Sequence, residues 1–291
     1  MKGKRLMDIG KIMVVGAGFM GSGIAQLCAQ AKYNVILIDV DSTILERSLE
    51  NIRWSIKKLT EKGKISEKEE FILSRIKTGK KIIEDNEINF IIEAVYENLN
   101  LKKQIFNELG NKYGPNVILA TNTSAIPITE IATAVKRPER VIGVHFFSPV
   151  LFRPLVEVVK GLSTSEETIK ITRQFITGLG KETILVHKDI AGFVVNRING
   201  MATLEAMRLL EQGVAAAEEI DKAMRLGLGH QMGPFETMDF IGLDVVLNAR
   251  MAIYNETKNP IHFPPDILRR LVSAGHLGRK TGKGFYEYKE Q

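Results

Sequence analysis

The 291-residue chain has few of the residues that staple or anchor a protein. It carries one cysteine, Cys28, so no internal disulfide can form. Its neighbours Gln26, Leu27 and Ala29 suit a small buried helix residue better than a reactive thiol. No run of about eighteen apolar residues occurs, so no membrane span is expected. The first ten residues hold Lys2, Lys4 and Arg5 with no apolar stretch behind them. No secretory leader is therefore expected, and the cytoplasm is the expected compartment. Aromatics make up 7% of the chain and no nucleic-acid motif is present, so nucleic acid is not an expected partner. No metal site is expected either.

What is present is the composition of a globular protein of about two domains, with 44% hydrophobic and 25% charged residues. The net charge is +6, and lysines crowd residues 57–81. They form either a solvated helical surface or a rim that attracts an anionic ligand.

Apolar, β-branched runs alternate with helical stretches through the first two-thirds. Strands are expected at 12–15, 34–39, 90–94, 117–121, 141–145, 155–159 and 183–186, with a helix at 20–31. Such near-continuous apolar strands imply a parallel sheet covered on both faces. About fifty residues separate the second strand from the third. Helices over 42–59 and 66–76, the latter with a Ser66–Glu69 capping box, predict a projecting helical hairpin broken at Glu61-Lys62-Gly63-Lys64. Beyond Asp189 the period becomes helical throughout: 193–212, 216–226, 234–254 and 266–274. The expected architecture is α/β: a Rossmann-type doubly wound sheet with a helical-hairpin insertion over 1–189, followed by an all-α domain over 190–291.

Gly16-Ala17-Gly18-Phe19-Met20-Gly21 is a G-x-G-x-x-G between a strand and a helix, the context that gives this motif meaning. Gly16 allows the turn, Gly18 lets a pyrophosphate approach the backbone, and Gly21 lets helix and strand pack closely. The helix N-terminus then offers N–H groups to phosphate. Asp39, ending the next strand, suits the ribose hydroxyls and repels a 2′-phosphate, with Asp41 adding to that repulsion. The expected cofactor is NAD.

Of the five histidines, His145 alone ends an apolar strand, where such sheets face their ligand. A dehydrogenase acting on an alcohol needs a base near neutral pKa. Glu157, an acid inside an apolar strand, is costly unless paired. A His145–Glu157 pair would satisfy both groups. The competing reading is a core histidine bonded to backbone, with Glu157 facing solvent.

The chain resembles the L-3-hydroxyacyl-CoA dehydrogenases, and especially the bacterial 3-hydroxybutyryl-CoA type. The resemblance runs through the glycine motif, Ile92-Glu93-Ala94-Val95-Tyr96-Glu97-Asn98-Leu99, Thr121-Asn122-Thr123-Ser124, His145-Phe146-Phe147 and Leu155-Val156-Glu157-Val158. It continues in Gly192-Phe193-Val194-Val195-Asn196-Arg197, Met232-Gly233-Pro234 and Gly278-Arg279-Lys280-Thr281-Gly282-Lys283-Gly284-Phe285-Tyr286. It implies that His145 is the catalytic base, paired with Glu157. Ser124 would touch the substrate oxygen and the nicotinamide end of the cofactor, and Asn196 the thioester carbonyl or keto group. Read from its position alone, Ser124 could instead cap a helix beginning near Ile126. Glu97, Lys102 and Lys280 fall among the implied cofactor contacts, and Ser55 and Lys62 on the hairpin among the CoA contacts. The resemblance further implies a homodimer formed by the helical domain, and a cleft that closes over the ligands.

The chain also departs from that pattern. Ser148 stands where the family has asparagine beside the nicotinamide, Phe152 and Arg153 enter the segment before Leu-Val-Glu, and Ala191 replaces a proline. These differences bear on cofactor geometry and acyl preference. Two alternatives stay open: a related dehydrogenase of a non-CoA 3-hydroxy acid, and an NAD-binding relative without turnover.

Overall fold

The computed structural model describes residues 9–288. The described residues form two compact units, divided between Asp189 and Ile190.

The first unit runs β1 (Lys11–Val15), α1 (Phe19–Gln30), β2 (Asn34–Ile38), α2 (Ser42–Glu61), α3 (Glu69–Ser74), β3 (Ile76–Gly79) and β4 (Ile88–Glu93). It continues with α4 (Leu99–Lys112), β5 (Ile118–Thr121), α5 (Ile128–Ala132), β6 (Val141–Phe146), β7 (Leu155–Val159), α6 (Glu166–Gly178) and β8 (Glu182–Val186). The strands form one sheet in the order β3-β2-β1-β4-β5-β6-β7-β8. The order reverses between β1 and β4, and the crevice beyond the strand ends at such a reversal is where doubly wound sheets bind ligands. Ile12, Val14, Leu37, Phe90, Ile92 and Val144 are fully buried in the sheet's core, as covered parallel strands require. Cys28 is buried there too, and burial pushes its thiol pKa up, away from reactivity.

Two expectations for this unit need correction. The second hairpin helix is shorter than 66–76. Its N-cap is Lys68, without a side-chain cap, so the Ser66–Glu69 box does not form. Ile76 instead begins an edge strand parallel to β2. The Arg75 carbonyl accepts the Val35 N–H at 2.8 Å, which commits the backbone to the sheet before the helix can continue. The sheet is also not wholly parallel, because β6 and β7 are antiparallel. Their connection is residues 147–154, too short for a crossover, which needs a dozen residues or more.

The second unit consists of α7 (Val195–Glu211), α8 (Ala217–Leu228), α9 (Pro234–Ile241), α10 (Leu243–Thr257) and α11 (Asp266–Ser273). Leu204, Met207, Phe235, Met238, Leu243 and Leu268 form its core. The expected helix over 234–254 is divided at Gly242, whose φ of 105° and ψ of 125° are not helical. The turn is needed because the Leu243 N–H bonds the Leu277 carbonyl at 3.2 Å.

Two fully buried aspartates organise this unit. Asp221 accepts the N–H groups of Phe235 and Glu236 at 2.8 and 2.9 Å and the Tyr286 hydroxyl at 2.8 Å. Asp239 accepts those of Phe285 and Tyr286, both at 3.0 Å, and the Tyr288 hydroxyl at 2.9 Å. A Cβ on Gly233 or Gly284 would lie 2.2 Å from these side chains. Both glycine motifs therefore let residues 284–288 close against the helices.

Candidate active site

The phosphate loop has the geometry that a dinucleotide needs. Gly16 turns with φ of 102°, and its N–H bonds the Ile38 carbonyl at 2.7 Å. A Cβ on Gly21 would lie 1.8 Å from the Gly16 oxygen, so α1 can sit against the loop only with glycine there. A Cβ on Gly18 would meet nothing within 4 Å, and no side chain caps the first turn of α1. The loop thus presents open backbone at a helix N-terminus, which is a cradle for phosphate. Phe19 is exposed and Met20 half-buried beside it. Asp39 is locked at the end of β2: Oδ2 accepts the Ala17 N–H at 2.8 Å and Oδ1 the Asp41 N–H at 3.1 Å. Each oxygen keeps a lone pair for a ribose hydroxyl, and the donor set fits NAD.

Gly21→Ala is expected to push α1 off the loop. The overpacking costs roughly 1–3 kcal/mol. The KM for NAD should rise more than the KM for the second substrate, because the displaced element is the phosphate cradle. Initial rates at varied NAD check this, and an unchanged NAD dependence would refute the reading of Gly21.

At the ends of β4 and β5 lies a buried charge network. Glu93 and Lys102 are 0% and 1% exposed, and Lys102 Nζ donates to Glu93 Oε1 at 2.7 Å. Glu93 also accepts the Val95 N–H and the Thr121 hydroxyl, each at 2.7 Å. Lys102 Nζ lies 3.4 Å from Glu97 Oε2. Glu97 Oε1 in turn accepts the N–H groups of Ser124 and Ala125, at 3.0 and 3.1 Å, and the Thr123 hydroxyl. The helix-capping alternative for Ser124 is not what the structure has, since Thr123 Oγ1 accepts the Ile126 N–H at 2.9 Å. Lys102 thus faces inward, and Glu97 carries its charge to the loop that presents Ser124. Glu93 was not singled out from sequence, and its place as an acid inside an apolar strand was the available signal.

The end of β6 brings the next pair together. His145 stands directly opposite Glu157 in the antiparallel register, which places both side chains on one face of the sheet. Nδ1 and Oε2 are 2.6 Å apart, with His145 6% exposed and Glu157 fully buried. The competing reading of a solvent-facing Glu157 is excluded. The carboxylate accepts from Nδ1–H, so in the neutral ring Nε2 is the basic nitrogen. Asn122 Oδ1 accepts the Phe146 N–H at 2.9 Å, and the Phe147 ring lies 4.5 Å from the imidazole, centre to centre.

The loop after β6 is held from behind. The buried Lys181 ammonium donates to the carbonyls of Val150, Leu151 and Arg153 at 2.7, 3.2 and 2.9 Å. In sequence Lys181 reads as an ordinary lysine after a helix, and nothing marks it as a clamp. Ser148 is exposed, and its carbonyl accepts Arg153 Nε at 3.3 Å. Phe152 lies under Lys64 of the hairpin, with Nζ 5.6 Å from the ring centre. Of the two hairpin residues implied for CoA, Ser55 is half-buried and its hydroxyl accepts from Gln26 Nε2 at 3.1 Å, while Lys62 is exposed at the end of α2.

The second unit carries the other two implied residues. Asn196 is half-buried in the first turn of α7, and its main-chain oxygen accepts from Arg250 Nη2 at 2.9 Å. Lys280 pairs with Asp244 Oδ1 at 2.5 Å. Among the described residues, no group of three potential metal ligands occurs, and no helix is long and apolar enough to cross a membrane.

Comparison with known proteins gives the family. Residues 11–190 match the family "3-hydroxyacyl-CoA dehydrogenase, NAD binding domain", and residues 192–288 match the C-terminal domain of the same family. A probable 3-hydroxybutyryl-CoA dehydrogenase of Bacillus subtilis is 42% identical over 286 residues, covering 98% of this chain and 99% of that one. The human mitochondrial hydroxyacyl-coenzyme A dehydrogenase is 39% identical, covering 96% of this chain and 91% of its own. The crystal structure of (S)-3-hydroxybutyryl-CoA dehydrogenase PaaH1 from Ralstonia eutropha superposes with a TM-score of 0.93 at 40% identity, over 97% of this chain and all of that one. The chain therefore belongs to the 3-hydroxyacyl-CoA dehydrogenase family, and NAD is its cofactor.

Proposed function

We propose that the protein interconverts (S)-3-hydroxyacyl-CoA and 3-ketoacyl-CoA, with 3-hydroxybutyryl-CoA as its substrate, and that His145 is the general acid–base. The observation that carries this reading is the 2.6 Å contact of His145 Nδ1 with a fully buried carboxylate. It orients the imidazole, fixes its tautomer and stabilises the imidazolium that proton uptake creates.

In the oxidative direction His145 Nε2 takes the 3-hydroxyl proton while hydride leaves C3, and in reduction it returns the proton. NAD supplies the hydride acceptor. Ser124 hydrogen-bonds the substrate oxygen, and the Glu93–Lys102–Glu97 chain keeps its loop in place. Asn196 bonds the thioester or keto oxygen. Glu97, Ser148 and Lys280 contact the cofactor, with Lys102 acting through Glu97. Ser55 and Lys62 hold the CoA moiety, and the cationic hairpin attracts its phosphates. The second unit forms a homodimer, and its exposed Ile198, Leu226, Leu228 and Val245 supply apolar area for it.

Steady-state kinetics test this. Acetoacetyl-CoA should be reduced with NADH far faster than acetoacetate is, and NADPH should serve poorly because Asp39 repels a 2′-phosphate. Turnover of the free acid at a rate equal to that of its CoA ester would overturn the substrate assignment.

A further inference from the structure

Lys181 stands where α6 turns into β8, and the chain around it fixes its place. Gly180 takes a φ of 76°, its N–H bonds the Thr177 carbonyl at 2.9 Å, and the Lys181 N–H bonds the Ile176 carbonyl at 3.3 Å. This is a Schellman helix end, where the residue after the glycine often carries an apolar side chain folded back on the helix. Here it carries a charge. Lys181 is 5% exposed, burial lowers its pKa, and no carboxylate pairs with it among the described residues. A buried ammonium is costly unless hydrogen bonds satisfy it. Its three N–H groups have three acceptors, the carbonyls of Val150, Leu151 and Arg153.

The same turn is closed from other sides. The Pro149 carbonyl accepts the N–H groups of Phe152 and Arg153 at 3.0 and 3.2 Å, and the Glu182 N–H, next to Lys181, bonds the Pro154 carbonyl at 2.8 Å. Val150 is buried against α1. A Cβ on Gly23 would lie 3.1 Å from its side chain, tighter than an ordinary contact. Gly23 is on the second turn of α1, just past the phosphate loop. The turn that joins the His145 strand to the Glu157 strand is thus wedged between an ammonium and the helix that opens at the phosphate cradle.

We propose that Lys181 is a positioning residue for hydride transfer. It acts through the turn and touches no reacting atom. By binding three backbone carbonyls it fixes the turn that presents Ser148, and through Val150 it sets that turn against α1. The nicotinamide end of the cofactor and its phosphate cradle then keep one spacing. The inference rests on the reading above, in which Ser148 contacts the cofactor and the His145–Glu157 pair moves the proton. An apolar residue at the same helix end could fill the space, but it has no donors with which to hold main chain.

Steady-state and isotope kinetics of the full-length enzyme with acetoacetyl-CoA and NADH test this. Lys181→Met keeps most of the side chain's length and removes the donors. Its kcat should fall by about 100-fold, the scale of a displacement of about 1 Å at the reacting groups. The KM for acetoacetyl-CoA should change far less. The deuterium isotope effect on kcat, read with NADH deuterated at the transferred hydrogen, should rise above the wild-type value as hydride transfer becomes the slow step. A lysine that only supported the fold would lower the melting temperature and leave both kcat per folded molecule and the isotope effect unchanged, and that result overturns the proposal. Gly23→Ala displaces the same turn from the α1 side while adding a better helix former. It should raise the isotope effect as well. If Lys181→Met does not fold, Gly23→Ala decides, and a wild-type isotope effect there overturns the proposal. A wild type inactive on every CoA ester defeats the parent reading and this one with it, so the two failures are read from different proteins.

Discussion

His145→Gln is expected to lower kcat by about 10²- to 10⁴-fold, the usual contribution of a positioned acid–base group. The KM values should change little, because the proton is transferred only as the transition state is reached. Glutamine fills a similar volume at the end of β6, so the fold should survive and the melting temperature stay near that of the wild type. Glu157→Gln gives a sharper test. An amide can donate to Nδ1, leaving the proton on Nε2, where it blocks the base. Its rate should fall within the same range although the imidazole itself remains. NADH absorbance in both directions reads both variants. If either keeps near-normal turnover, the assigned acid–base pair is wrong.

The second large effect is on stability. Lys102→Met leaves the Glu93 carboxylate fully buried without its cation. Breaking a buried pair in this way costs about 3–5 kcal/mol, which lowers the melting temperature by on the order of 10 °C for a unit of this size. Glu93→Leu combined with Lys102→Met should regain most of that loss, because an apolar pair of similar volume replaces ions that were costly to desolvate. The double variant should still bind NAD poorly, since Glu97 no longer has its cation and the Ser124 loop loses its anchor. Calorimetry with NAD titration separates the two effects. A single variant as stable as the wild type would show that the pair carries no load.

The phosphate loop and the acid–base pair differ in how readable they are from sequence. The phosphate loop is legible because its glycines answer a backbone requirement that local spacing reveals, and Asp39 follows from the strand's length. The His145–Glu157 contact is half legible. Each residue is conspicuous as a polar group in an apolar strand, but their meeting depends on an antiparallel pairing that apolar patterning does not distinguish from a parallel one. The brevity of residues 147–154 was the available clue. The edge strand at Ile76 stayed hidden because its pairing with β2 overrides a helical local pattern. Gly242 breaks a helix for the sake of a tail more than thirty residues away, a demand no window around it contains. Lys181 and Arg250 carry no local signal, and Lys102 stands out only through the resemblance, as a cofactor contact. Only tertiary structure reveals that each is buried, and with what.

The antiparallel step between β6 and β7 constrains how this enzyme can be re-engineered. Alternate residues of a strand point to opposite sides, so sliding β7 by a single position would turn Glu157 away from the imidazole and present Val156 or Val158 in its place. Loop grafts between Phe147 and Pro154 that aim to reshape acyl choice must therefore preserve strand phase. An insertion absorbed as a bulge outside the ladder is tolerable, whereas one transmitted into β7 silences the enzyme without touching any reacting atom. Lineages that vary this hairpin should accordingly change its side chains freely and its length hardly at all.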